Sequence, residues 1–255
     1  LQDGILKAED PVDVLWPFNH PGLPSEFAKV EDARSAIKFE TRYSPLGYVS
    51  LVQNPEERKG GDPLDWVLNQ AWYVNIALEL IYALDYQDGN AALKQFSNLK
   101  IKWIDKLHSD AIFKYPSGAY CRQSITPISR DGKGALQCIP KIIEILVNNN
   151  ASNIHSKIGV SANGELTSYL AFSALIEAIW SMLGDIAIKT QKGNEAGYIK
   201  KCAWCGTPFL AKDKRQLFCP APEGYGTRQQ SLCGLKYRQH KLLVKKNNQG
   251  GDGIQ

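Results

Sequence analysis

Apolar residues recur at helical spacing in three long stretches of this chain. From Leu64 onward, Val67, Leu68, Ala71, Trp72, Leu78 and Tyr82 mark a broad apolar face, the period of a helix packed into a core. Asp62-Pro63 stands in front of it, an N-cap residue and a proline tolerated in the first turn. A helix is therefore predicted from Asp62-Pro63 to about Leu84, closed by Asp88-Gly89. A second, Asn90 to His108, carries Leu93, Phe96, Trp103 and Leu107 on one side, and the short join predicts an antiparallel pair. The third, Ser168 to Lys189, has few polar positions beyond Glu177 and Asp185. It is expected to be buried on most sides and to span the middle of the bundle. Trp66, Trp72, Trp103 and Trp180 read as core.

Between these stretches the pattern is broken. Residues 1–62 hold six prolines and a Gly60-Gly61 pair. Short clusters at Val12–Phe18 and Tyr43–Val52 suit extended arms, and Ser25–Phe39 suits one helix, with Phe27, Val30 and Ile37 at helical spacing. Around 119–138, Ser124–Ile128 and Ala135–Cys138 flank Asp131-Gly132, a hairpin turn signal that predicts a two-strand ribbon. Cys121 and Cys138 fall on or near it and read as small buried hydrophobes. Gly159–Leu166 suits a strand and turn. The fold class expected is mainly α with small β additions (α+β).

Charge divides the chain unevenly. Residues 200–246 hold eleven Lys or Arg against two acids, a balance of +9, whereas residues 1–199 come to −4. A basic appendage on a mildly acidic body points to a polyanionic partner, most often nucleic acid. No apolar run is long enough to cross a bilayer, so no membrane partner is expected. Leu1–Asp10 lacks the apolar core of a signal peptide, and a cytoplasmic location with reduced thiols follows. The chain opens with Leu and its one methionine is Met182, which places the expected start of translation upstream.

Reduced cysteines give the appendage its chemistry. Cys202-Ala-Trp-Cys205 can turn two sulfurs toward one ion, and Cys219 and Cys233 complete a tetrahedral thiolate set of the kind Zn²⁺ prefers. The role is structural, since four thiolates leave no position open to water. The long last interval is filled by Pro220-Ala-Pro222-Glu-Gly224-Tyr-Gly226, suited to a loop that leaves the metal and returns. His240, seven residues past Cys233, is the alternative fourth ligand. Behind Cys233, Leu235, Leu242 and Leu243 lie among Lys236, Arg238, Lys241 and Lys245, a basic helix expected to anchor on the finger by its leucines.

The run Ala174–Trp180, then Lys201-Cys-Ala-Trp-Cys-Gly-Thr-Pro-Phe209, Phe218-Cys219 and Cys233-Gly-Leu-Lys-Tyr-Arg238, resembles bacterial proteins ending in a zinc finger of the CGNR type. Some of those carry a helical, ABATE-like N-terminal domain. The resemblance implies a DNA-binding transcription regulator whose helical domain senses a small molecule or forms a homodimer. Gly234-Leu235-Lys236 stands where the family name expects Gly-Asn-Arg, so the contact made by that Asn and Arg is not implied here. Three units are expected: a helical domain over 1–192, a treble-clef or ribbon-like four-cysteine finger with its basic helix over 198–246, and a disordered tail over 247–255.

Phosphate contacts are expected from Arg215, Arg228, Lys236, Arg238, Lys241 and Lys245, with a zinc-stabilised module for protein or RNA partners as the alternative. Enzyme activity is not expected. Glu40, Glu79, His108, His155 and Glu177 form no spaced catalytic motif, and no phosphate-binding glycine loop is present.

Overall fold

The computed structural model describes residues 5–6, 20, 22–48, 61–99, 102–103, 109–114, 120–125, 131–151, 154–160, 166–191, 198–211, 213, 215–220 and 231–249. In chain order the elements are β1 (Ile5–Leu6), α1 (Leu23–Phe27), α2 (Ala33–Tyr43), β2 (Asp62–Pro63), α3 (Leu64–Asp85), α4 (Gly89–Asn98), β3 (Lys102–Trp103), β4 (Ser109–Lys114), β5 (Tyr120–Ile125), α5 (Gly132–Asn150), β6 (His155–Val160), β7 (Leu166–Ala171), α6 (Leu175–Gln191), β8 (Tyr198–Lys201), β9 (Pro208–Ala211) and α7 (Leu232–Gln249). The protein is mainly helical. Among the described residues the strands form four small antiparallel sheets: β1 with β2, β3-β4-β5, β6 with β7, and β8 with β9.

A helix that is apolar over most of its surface needs cover on most sides, and α3 meets that condition apart from an exposed strip at Asp65, Asn69 and Trp72. It packs against α1, α2, α4, α5, α6 and the β8–β9 hairpin, burying Trp66, Val67, Val74, Ile76, Leu78, Leu80 and Ile81. The middle of the bundle thus belongs to α3 and not to the third stretch. Trp180 of α6 is fully buried and donates its indole N–H to Gln70 Oε1 of α3 at 3.0 Å. Gln70 Nε2 in turn donates to Asn150 Oδ1 of α5, so a buried polar chain fixes three helices against one another. Trp66 is core as expected. Trp72 is 43% exposed, a correction, and the side chain of Trp103 lies outside the described residues.

Several expected elements end elsewhere, each for a local reason. The second helix stops at Asn98, and Trp103 pairs with Ser109 across β3 and β4. The ribbon is formed by β4 and β5, with Phe113 opposite Cys121. Ala135–Cys138 is helical, because the Asp131 carboxylate accepts from Gly134 N at 2.8 Å and caps α5 instead of turning a hairpin. In the third stretch β7 runs to Ala171, and α6 begins only after Ser173, whose N–H and hydroxyl both donate to Glu177. The Ser25–Phe39 helix is split in two, since Asp32 and Ser35 form a capping box that starts α2 afresh. The Val12–Phe18 cluster lies outside the described residues. At the far end α7 continues to Gln249, three residues into the expected tail.

Asp62 does not cap α3. Its carboxylate accepts from Gly47 N at 3.1 Å and Tyr48 N at 2.6 Å, which holds the turn after α2 onto the start of α3. Glu40, also buried, lies beside it with Oε1 lacking any partner. Burial, and after it the Asp62 carboxylate, push Glu40 up to about 8 from an ordinary 4.5. A neutral Glu40 can donate to Asp62; a charged one is both desolvated and repelled.

The folded state therefore keeps a proton that the unfolded chain gives up above about 4.5. Stability should fall as pH rises from about 4.5 toward about 8, by at most about 1.4 kcal/mol per pH unit from this group. Glu40→Gln retains a donor but cannot ionise, so its melting temperature should change less between pH 5.5 and 8 than that of the wild type, by several degrees. Equal pH slopes for the two proteins would contradict this account.

Candidate metal centre

Two tight features bring the cysteines together. Cys202 directly follows β8, and the chain reverses before β9 with Gly206 N donating to Cys202 O at 2.9 Å and Cys202 N to Thr207 O at 3.1 Å. Gly206 sits at φ +72 with open space where a Cβ would stand, so glycine is required there by backbone conformation, not by room. The turn through Asp213 and Gln216 then delivers Phe218-Cys219, and Ala203 N donates to Leu217 O. Cys233 arrives in the first turn of α7, where Ser231 Oγ accepts from Gly234 N, and the helix N-terminus favours a thiolate.

The four sulfurs of Cys202, Cys205, Cys219 and Cys233 all lie within 4.8 Å of one another. Cys205 Sγ is 3.5 Å and Cys233 Sγ 3.6 Å from Cys219 Sγ. A tetrahedral ion with bonds of about 2.3 Å to sulfur separates its ligands by about 3.8 Å, so the set fits a metal ion with little movement. Cys202 and Cys219 are buried with Phe209 and Ala211 in a small core of their own, and Cys205 faces solvent. Cys233 completes the set. His240 is instead turned against Trp204, ring centroids 5.8 Å apart.

Four thiols this close cannot all ionise without a cation. The bond from Cys219 holds Cys205 down to about 4. Cys219 rises, through that same bond first and burial second, while burial pushes Cys233 up to about 11. A divalent ion would remove this conflict by binding all four as thiolates.

One contact was not legible in the cysteine pattern. Lys29, just past α1, places Nζ 3.0 Å from Cys219 Sγ, across 190 residues of chain. Burial alone would lower Lys29, but the sulfurs of Cys219, Cys205 and Cys233 outweigh it and raise it. With a divalent ion bound, four thiolates would carry two net negative charges, and Lys29 would offset one from outside the ligand set. Lys29→Gln should weaken metal affinity about tenfold in a competitive chelator titration, the usual size of an outer-shell effect, with Lys29→Arg largely restoring it. Unchanged affinity in Lys29→Gln would remove this role.

The centre is also joined to the helical body. Ile199 of β8 lies in the main core with Leu210 of β9 packed against it. Lys201 pairs with Glu79 of α3 at 2.9 Å and lies over the Tyr82 ring. Of the expected phosphate contacts, Lys236, Arg238 and Lys241 lie exposed along α7, although Arg238 Nε donates to Gly234 O of its own helix. Arg215 is almost wholly exposed on the turn before Cys219. Lys245 is on α7 with its side chain outside the described residues, as is all of Arg228.

The leucine anchor is corrected. Leu242 and Leu243 are 62% and 61% exposed, and the helix is held near its root by Tyr237 on Phe218, at 5.3 Å, and by His240 on Trp204. Phe218 and Trp204 meet the face bearing positions 237 and 240, which turns 242 and 243 outward.

The other titratable groups have separate structural duties: Glu79 pairs with Lys201, Glu177 caps α6, and Glu40 faces Asp62. His20 stands edge-on to Tyr43, and Cys138 is a buried core residue. His108 and the His155 side chain lie outside the described residues. Among the described residues no helix is long and apolar enough to cross a membrane. Compared with protein-family models, curated proteins and solved structures, the chain matches none.

Proposed function

We propose that the protein is a zinc-binding, DNA-binding regulator, with Zn²⁺ held structurally by Cys202, Cys205, Cys219 and Cys233 and with α7 as the element laid on the duplex. The observation that supports it is the placement of α7. Its root carries Cys233, while Lys236, Arg238 and Lys241 stand in solvent beyond. Zinc would supply no reaction here; it would fix the direction in which the cations point. The CGNR-type assignment, cytoplasmic reduced thiols and a helical body acting as sensor or dimerisation unit belong to the same reading, which includes no catalysis.

Fluorescence anisotropy with a nonspecific DNA duplex tests it. Four to six phosphate contacts would lower affinity by about 10²–10³ between 50 and 200 mM salt. Absence of binding at both salts would overturn the reading. A second reading, an interaction module for protein or RNA, is favoured by Leu242, Leu243 and Val244, all exposed among the cations. Retention of a specific partner after nuclease treatment, by a protein that fails to bind duplex, would select a protein partner.

A further inference from the structure

The acidic balance of residues 1–199 hides a local exception. On α2, Arg34, Lys38 and Arg42 recur every four residues and so share one face of the helix. Arg34 and Lys38 are exposed. A cavity of about 330 Å³ separates this face from the metal centre, with Lys38 and Arg42 on one side, Lys236 of α7 and Trp204 on the other, and Lys29 also lining it.

Two of these charges are already engaged, Arg42 by Glu26 at 3.1 Å and Lys29 by Cys219. Lys38 and Lys236 both line the cavity, and the one carboxylate among its described lining residues, Glu26, is bound by Arg42 and by the Tyr43 hydroxyl. The acids Glu31 and Asp32 lie beyond Arg34 at the start of α2, Asp32 being bound to Ser35 as the helix cap.

We infer that a DNA duplex held by α7 is gripped a second time by α2, one backbone strand passing over the mouth of this cleft with phosphates between Lys38 on one wall and Lys236 on the other. Exposed Arg34, one turn from Lys38 and outside the cleft, meets the next phosphate. The cavity is far too small for a duplex, but a row of phosphates needs only cations along its two edges. The walls are set before binding, because the Lys201–Glu79 pair and the Lys29–Cys219 contact fix the metal centre to the helical body. A preset spacing lowers the ordering cost of a two-sided grip.

This inference rests on the DNA-binding reading, and one experiment separates their failures. Duplex affinity and its salt dependence are measured for the wild type, for Arg34→Gln/Lys38→Gln and for Lys241→Gln/Lys245→Gln, after thermal melting and metal content show each variant folded and loaded. The α2 pair should lose about tenfold or more in affinity at 100 mM salt, and its log–log salt slope should shrink by about 1 to 2. An α2 pair equal to wild type beside a weakened α7 pair would overturn the inference and leave the DNA-binding reading standing. A wild type that binds no duplex would overturn both.

Discussion

Purified protein should carry one divalent ion per chain, and Cys233→Ala should hold it about 10²–10³ times more weakly. The size follows from the ligand count. Structural zinc sites of this kind bind with about 10–16 kcal/mol in all, so one thiolate of four is worth about 2.5–4 kcal/mol. Elemental analysis and a chelator competition measure both quantities. His240→Ala is the informative control, because the His240 ring rests on Trp204 and the Cys233 sulfur stands among the other three. It should leave affinity unchanged. If His240→Ala lost the ion and Cys233→Ala kept it, the fourth ligand would have been misassigned. Chelation of the wild type should also loosen the root of α7, since Cys233 ties that helix to Cys202, Cys205 and Cys219.

Gly89→Ala should destabilise the fold by about 3 kcal/mol or more, read as a lower urea midpoint. In an ordinary exposed helical position the same change would be neutral or stabilising, because alanine is the better helix former. Here the sign is set by a meeting of two helix starts. A Cβ on Gly89 would lie 2.5 Å from the carbonyl oxygen of Gly132, and backbone cannot swing aside as a side chain can, so the start of α4 would have to move off the start of α5. The overpacking range of about 1–3 kcal/mol applies where side chains can adjust. Gly132→Ala should be milder, its Cβ standing 3.0 Å from Gly89 Cα. A Gly89→Ala protein as stable as the wild type would show that these helix ends are not in contact.

That same pair explains what was and was not readable beforehand. Asp88-Gly89 reads as a helix stop and Asp131-Gly132 as a hairpin turn, yet each is a helix start. The aspartate caps, through Ala91 N in one case and Gly134 N in the other. Local chemistry could not choose, because Asp-Gly serves both uses and only the tertiary approach of the two glycines separates them.

The cysteine set was legible because its ligands come from one short span with turn residues between them. Lys29 was not, since nothing in the pattern around residue 29 refers to a sulfur 190 positions away. Asp62 and Glu40 were missed for a similar reason. Asp62 was read for its local capping ability, while its actual partners are the N–H groups of Gly47 and Tyr48. The apolar period of α3 was the easiest to read, and its central position explains why its apolar face is so broad.

Ile199 and Leu210 project from the hairpin that carries the cysteine cluster into the interior shared by α3. The cysteine-bearing segment is for that reason not a portable cartridge. Severed between residues 191 and 198 it would bare a greasy underside, and the remaining helices would expose the matching hollow. Grafting it onto another scaffold would mean carrying the flank of α3 along with it.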